Sequence, residues 1–326
     1  MTHQEAESAA GFAGMRLISA AEVSGVEMAT AVDALEAALR DGLDPERDAP
    51  RSKVSTETGE LLVMPSVRGG HAGVKALSST PDNHARGLPL IQGCYLLFEG
   101  PGQRPAALVD GIALTNLRTP AVSGLALRHL AATGPEAAAR VVVFGSGPQA
   151  RGHVDAVRAT CAIADLTVVG RDQQRLEQFV TGVAGEGLPA RARRPDDCAD
   201  AIATADVICC CTSASTPLFD GALVKASAVV IAMGSHSPHT REVDDALAGR
   251  ASIVVESRGS ALREAGDIVI PLSSGVIAEP DLLPLRDLVT GQTAAPAGKP
   301  RLFKSTGMSW EDLVVAQLLH QRAAAA

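Results

Sequence analysis

Gly145, Gly147 and Ala150 form the pattern G-x-G-x-x-A inside RVVVFGSGPQARGHVDA, residues 140–156. The spacing suits a dinucleotide phosphate. Gly145 permits a tight turn, Gly147 lets the backbone approach a pyrophosphate, and Ala150 keeps helix and strand close. Free N–H groups at the helix start then receive the phosphate charge. Such a fingerprint is weak alone. Here a β-branched run precedes it and a helical stretch follows, which favours nucleotide binding over a chance glycine turn.

Cations supply a second set of chemistry-bearing residues. Lys75 lies inside the apolar GVKALSS stretch. A lysine among apolar neighbours is costly unless paired or neutralised, and such a site suits a proton donor or acceptor. Spacing alone favours the commoner use, an edge-strand lysine facing water. Arg118 stands just before an expected helix start at Thr119-Pro120, the end where the dipole disfavours a cation. A bound carboxylate, gripped bidentately, would offset that conflict, and a structural ion pair fits as well. Arg51 is less distinct, because Arg47 and Lys53 flank it as surface charges. His236 is either an acid/base group, as its ordinary pKa allows, or a loop histidine without a proton role. It forms H-x-x-H with His239, but no third ligand is spaced for a metal, and none is expected.

The elements that must position these groups fall into two sets. Val32, Leu35 and Leu39 sit at helical spacing before Gly42, which predicts a helix over 29–41. After a link from Asp44 to Arg51 come short β-like runs: Leu61 to Met64 stopped by Pro65, Gly73 to Ser79, Gly93 to Phe98 and Ala106 to Val109. Turn residues between them predict a mostly antiparallel sheet. A helix is expected from Thr119 to about Ala132, and TGPEAA after it reads as a domain boundary. From Arg140 strands are expected at 140–144, 165–169, 206–211, 228–232 and 252–255, with helices between. That alternation predicts an α/β fold with a doubly wound parallel sheet. A loop runs from Pro284 to Pro300, and a final helix over 309–322 is expected to return to the first domain. Residues 1 to about 20 read as a loose leader.

Composition bounds the partners. The chain has 326 residues, enough for two domains, with 46% hydrophobic and 20% charged residues, a globular balance. Its 29 basic and 37 acidic residues give a net charge of −8, with 2% aromatics. That leaves no basic stripe or stacking platform for nucleic acid. No signal peptide is apparent, and no apolar run reaches the ~18 residues of a membrane span. Cys209, Cys210 and Cys211 adjoin in an apolar run and suit a buried strand better than a disulfide framework. A reducing, cytoplasmic setting is the expectation. The second Rossmann strand ends in Gly170-Arg171-Asp172, where an acid would favour NADH and an arginine a 2′-phosphate. NADPH is therefore expected, with NADH possible; the alternative makes Arg171 a solvated residue and Asp172 an N-cap.

Nearly all of the chain after the leader resembles the ornithine cyclodeaminase/μ-crystallin family. The resemblance rests on LLVMPS at 61–66, GVKALSSTPDNHARGLPLIQG at 73–93, LVDGIALTNLRTPAVSGLAL at 108–127 and FGSGPQA at 144–150. MGSHSPHTREVDD at 233–245 and FKSTGMSWEDL at 303–313 complete it. It implies a Rossmann domain (134–299) inserted in a mixed α+β substrate and dimerisation domain (1–133 with 300–326), and a homodimer. It also implies that Arg51 and Arg118 bind a substrate carboxylate and that Lys75 is the polar catalytic group beside the imine carbon. Cofactor contacts would fall on Gly145, Ser146, Gly147, Pro148, Gln149 and Ala150, and on Arg171. Thr212, Ser213, Met233, Gly234, Lys304 and Gly307 complete that set.

Departures from the family pattern narrow the activity. His236 stands where ornithine cyclodeaminases and many alanine dehydrogenases carry an aspartate, and Leu62 replaces a glutamate that serves the diamine. Losing two charged acceptors costs roughly 1.5–3 kcal/mol each, which disfavours ornithine cyclisation. Pro120 replaces a small residue. The pattern resembles the ketimine reductases, which implies reduction of Δ1-pyrroline-2-carboxylate or Δ1-piperideine-2-carboxylate to proline or pipecolate. The alternatives are ornithine cyclodeaminase, an alanine- or opine-type dehydrogenase, and a non-catalytic NADPH-dependent small-ligand binder.

Overall fold

The computed structural model describes residues 14–131 and 138–325, so the expected boundary at 133/134 and most of the leader lie outside it. The leader's end is corrected: Arg16–Ile18 pair with Ala107–Val109 as a strand, and Ser19 caps a short helix. The chain opens with strand β1 (Arg16–Ile18) and helix α1 (Met28–Arg40). Strands β2 (Ser52–Thr56), β3 (Gly59–Arg68), β4 (His71–Ser79), β5 (Ile91–Glu99) and β6 (Arg104–Asp110) follow, then helix α2 (Gly111–Leu130). Strand β7 (Ala139–Phe144), helix α3 (Pro148–Arg158), β8 (Ile163–Val169), helix α4 (Gln173–Gly185) and β9 (Ala190–Arg193) come next. The remaining strands are β10 (Val207–Cys210), β11 (Val229–Ala232), β12 (Ser252–Val255), β13 (Leu282–Pro284) and β14 (Arg301–Lys304), before helix α5 (Ser309–Ala325). Two compact units result: residues 1–119 with 308–326, and residues 120–307. No described helix is long and apolar enough to cross a membrane.

The first unit is a six-stranded sheet in the order β1-β6-β5-β4-β3-β2, antiparallel except where β1 meets β6. Burial along β4 alternates, with Gly73, Lys75 and Leu77 on the covered face. Helix α5 covers that face over β3, β4 and β5 and packs on α1. The opposite face is also apolar. Val54, Leu61 and Val67 share it and are 57%, 39% and 76% exposed. Two expectations are corrected here. Strand β3 runs through Pro65 instead of stopping at it: β2 pairs only as far as Val63, so beyond that residue β3 has an open edge, where proline is tolerated. Helix α2 begins at Gly111, not Thr119, with the Asp110 carboxylate accepting the Ala113 N–H at 2.8 Å. Pro120 lies inside the helix, where it removes a single backbone bond.

The second unit is an eight-stranded parallel sheet in the order β13-β12-β14-β11-β10-β7-β8-β9. The five strands expected from Arg140 onward are all present. Their continuous apolar runs are buried on both faces, with Val142, Phe144, Ile208, Cys210, Val230 and Leu302 in one core. Strand β14 is added to this expectation: assigned by sequence to the first domain's returning segment, it pairs with β11 and β12 inside the parallel sheet. The strand order reverses direction beside β7, and in open α/β sheets such a switch point is where ligands bind, at the carboxyl ends of the strands.

A buried histidine holds the turn that follows β7. His153, fully buried on α3, has Nδ1 2.7 Å from the Gln149 carbonyl and Nε2 2.9 Å from the Ser123 hydroxyl. Burial pushes its pKa down from 6.5 to about 4, so the ring is neutral. Its Nδ1–H then donates to the carbonyl, and Nε2 accepts from Ser123. Between those two pH values the unfolded chain binds a proton that the folded one refuses, so acidification destabilises. On going from pH 6.5 to about 4, the wild-type unfolding free energy should fall by about 3 kcal/mol relative to His153→Gln. Paired urea denaturation curves across that range measure the difference; parallel pH profiles would refute it.

Candidate active site

Helix α5 opens with two acids, Glu311 and Asp312, placed where the helix dipole favours negative charge. Both are fully buried, and they neutralise two cations from elsewhere in the first unit. The Lys75 ammonium lies 2.9 and 2.7 Å from the two Asp312 oxygens and 3.5 Å from the Thr115 hydroxyl. The Arg118 guanidinium donates through Nε to Asp312 at 3.1 Å and through Nη1 to Glu311 at 2.7 Å. Two positive and two negative groups thus share one desolvated space. Removing a single member of such a cluster is costly, because an unpaired buried charge is far costlier than an exposed one.

Strand β4 is central, so Lys75 is not the edge-strand residue that spacing alone favours; it is 1% exposed. Met64 and Tyr95 flank it directly across the sheet. Burial and the nearby Arg118 charge press its pKa down to about 8, against the pull of Asp312. An ammonium in that range can release and recover a proton near neutral pH. Arg118 lies within α2, two turns beyond its start, and not before a helix N-terminus. Its charge is answered by carboxylates rather than opposed by the dipole.

Asp48 joins the cluster from the link before β2. Its Oδ2 accepts the Trp310 N–H at 2.8 Å, an N-terminal cap for α5 supplied from more than 260 residues away. Burial, reinforced by the Asp312 charge, raises its pKa to about 6. A cavity of about 760 Å³ in this unit has Asp48, Arg47, Ser66 and Trp310 in its wall. Arg51, on the residue before β2, is half-buried.

In the second unit, the residues after β7 fit a dinucleotide phosphate. Gly145 has φ +109°, and a Cβ there would meet the Cys211 carbonyl at 2.5 Å, so only glycine makes this turn. Gly147 is the N-cap of α3 and faces open space. No side chain caps the helix, whose first turn runs through Pro148, Gln149 and Ala150. Ser146 is half-buried between the two glycines. An uncapped eleven-residue helix start beside an open glycine fits a phosphate group.

Several of the other expected contacts are tied inward. Glu242, buried, accepts the Thr212 N–H at 2.9 Å, the Thr212 hydroxyl at 2.7 Å and the Gly234 N–H at 2.7 Å. It thereby joins the ends of β10 and β11. A Cβ on Gly234 would lie 1.9 Å from the Thr212 carbonyl. The Lys304 ammonium is fully buried, 2.6 Å from the Ser235 carbonyl and 2.8 Å from Asp267. Glu256 accepts the Ser305 hydroxyl at 2.6 Å and the N–H groups of Thr306 and Gly307 at 2.9 and 3.1 Å. Gly307 itself has φ +72°. Met233 is half-buried, while Ser213, Arg171 and His236 are exposed.

Asp48, Glu242, Glu256, Glu311 and Asp312 had not been singled out as site residues. Glu311 and Asp312 lie in the first turn of the last helix, and Asp48 in the link from Asp44 to Arg51. Only the fold reveals which cations and N–H groups they answer.

Comparison with known proteins places this geometry among relatives. The model of the ornithine cyclodeaminase/mu-crystallin family matches residues 15–326. A Δ1-pyrroline-2-carboxylate reductase of Bacillus cereus is 33% identical over 275 residues, 82% of this chain and 83% of its own. The ketimine reductase mu-crystallin of Rattus norvegicus is 30% identical, covering 82% of each chain. The structure of Thermococcus litoralis Δ1-pyrroline-2-carboxylate reductase in complex with NADH and L-proline superposes with a TM-score of 0.88. It is 26% identical and covers 95% of this chain and 98% of that one.

The buried cluster predicts strong coupling. Asp312→Leu should destabilise the protein by about 3–5 kcal/mol, and adding Lys75→Met should recover part of that loss. A double-mutant cycle in urea measures the coupling; additive losses would mean that the two charges do not sustain each other.

Proposed function

Because the chain belongs to the ornithine cyclodeaminase/mu-crystallin family, we propose that it reduces a cyclic ketimine carboxylate with NADPH as the preferred hydride donor. Δ1-Pyrroline-2-carboxylate would give proline, and Δ1-piperideine-2-carboxylate would give pipecolate. The observation that carries this reading is Lys75: buried, lowered to a pKa of about 8, and held against Asp312 beside Arg118. The reductases among its relatives, which act on cyclic imines, support it.

In this mechanism Arg118 and Arg51 orient the substrate carboxylate, using positioning more than covalent chemistry. The Lys75 ammonium donates its proton to the imine nitrogen, which makes the neighbouring carbon electrophilic. Asp312 holds the ammonium in place and favours its charged form, while Arg118 opposes it, so the donor is charged yet ready to give up a proton. The nicotinamide cofactor, when bound, supplies the hydride that the activated carbon accepts. Gly145 to Ala150 and the uncapped start of α3 would hold its pyrophosphate. His236 remains a second candidate for proton transfer.

The exposed apolar face bearing Val54, Leu61 and Val67 supports a homodimer formed through the first unit. Sedimentation equilibrium should give twice the chain mass; a monomer at micromolar concentration would remove that part of the reading.

Following NADPH absorbance with a panel of cyclic imines, then pyruvate plus ammonia, then ornithine, tests the activity. Turnover is expected with the imines. Lys75→Met should lose at least about a hundredfold in kcat while still binding NADPH, the size of a lost general acid. Above pH about 8 the protonated donor disappears, so kcat/KM should fall tenfold per pH unit. Retained turnover in Lys75→Met would end the proposed role, and NADPH binding without any turnover in the wild type would favour a ligand-binding protein.

A further inference from the structure

We propose that Arg194 joins Arg171 in a two-guanidinium site for the 2′-phosphate of NADPH. This deepens the NADPH preference stated above and rests on it. The residues concerned lie at the carboxyl ends of β8 and β9, the end of a Rossmann sheet that meets the adenosine ribose. Strands β8 and β9 are parallel, with Val169 opposite Arg193. Arg194 is therefore the first residue past β9, beside the Gly170-Arg171 turn. The backbones lock together there, since the Gly170 N–H donates to the Arg193 carbonyl at 3.3 Å.

Two features aim Arg194 at the ribose site. Its Nη1 donates to the Arg171 carbonyl at 3.5 Å, which lays the exposed guanidinium across the turn. The position at which an acid would bind a 2′-hydroxyl is Gly170, and a Cβ there would press on Leu176 at 3.1 Å. A larger residue there would need the buried Leu176 side chain to give by a few tenths of an ångström. The turn thus carries no acid at that position and has two exposed arginines, at the ends of the neighbouring strands β8 and β9.

The nearby carboxylates do not cancel this charge. Asp172 caps helix α4 by accepting the Arg175 N–H at 3.1 Å. Asp196 stands 3.8 Å from Arg194, and both side chains are more than half exposed, a geometry in which an ion pair is weak and readily exchanged. A phosphate dianion offers more acceptors and more charge, matched to the planar fork of each guanidinium. The 2′-hydroxyl of NADH offers neither.

Fluorescence titration of NADPH and NADH against wild type, Arg171→Ser, Arg194→Ser and the double variant tests the pair. Each single variant should weaken NADPH binding about tenfold or more, as a lost charge-assisted bond does, and leave NADH binding within about twofold. The double variant should bind both cofactors alike. 2′,5′-ADP should displace NADPH from the wild type at lower concentration than it displaces NADH from Arg194→Ser, and Arg194→Lys should keep part of the preference. If Arg194→Ser leaves the NADPH-to-NADH ratio unchanged while Arg171→Ser lowers it, Arg194 has no part in selection, although the NADPH reading stands. A wild type that binds NADH as well as NADPH or better overturns the preference itself, and the pair with it.

Discussion

Removing four charges from water in one place is the constraint around which the first unit is arranged. Lys75, Arg118, Glu311 and Asp312 come from a strand, a helix and the opening turn of the last helix, and all are buried. None could be buried alone, since an isolated charge in such a medium would shed its ionisation or unfold its surroundings. The last helix must therefore return to the sheet with its acidic turn foremost. Asp48 fixes that turn by capping the Trp310 N–H, and the macrodipole of the helix favours all three acids at its start. The same balance gives Lys75 its chemistry. Desolvation and Arg118 pull its pKa down while Asp312 holds it up, and the resulting value near 8 suits a group that exchanges a proton at neutral pH.

The second unit meets a different requirement. Its parallel sheet leaves loop backbone at the carboxyl ends of the strands, where N–H groups need partners if the loops are to hold one shape. Glu242 and Glu256 answer that need from within. One carboxylate ties the ends of β10 and β11, and the other gathers the segment after β14. The turn after β7 is left otherwise: its helix start is uncapped and Gly147 faces open space. Internal carboxylates thus tie two segments of the rim, and the turn suited to a phosphate is one they do not occupy. Rigid edges around an open helix terminus are what pre-organised binding of an anion calls for.

Much of this was legible in the residues alone because it depends on local rules. Parallel strands buried on both faces must be continuous apolar runs, so five of them could be read from Arg140 onward. Gly145 is required wherever the turn demands a positive φ, and that requirement is visible as a glycine in a fixed pattern. What local rules could not convey were element ends and partners. Pro65 read as a strand stop and Pro120 as the first residue of a helix, yet one lies on a strand edge left open by a short neighbour and the other inside a helix that packing sustains. Whether a proline breaks an element depends on what flanks it in space.

The sequence by itself determined the element types, the glycine turn after β7 and the family, because periodicity, glycine placement and motif spacing are properties of neighbouring residues. The tertiary structure alone decided that Lys75 is buried rather than washed by water, that Arg118 is neutralised, and that Asp48, Glu311 and Asp312 matter. Those facts concern residues separated by as many as 262 positions. A side chain's charge state and reactivity follow from the dielectric and the counter-charges around it, and these exist only once the chain has closed on itself.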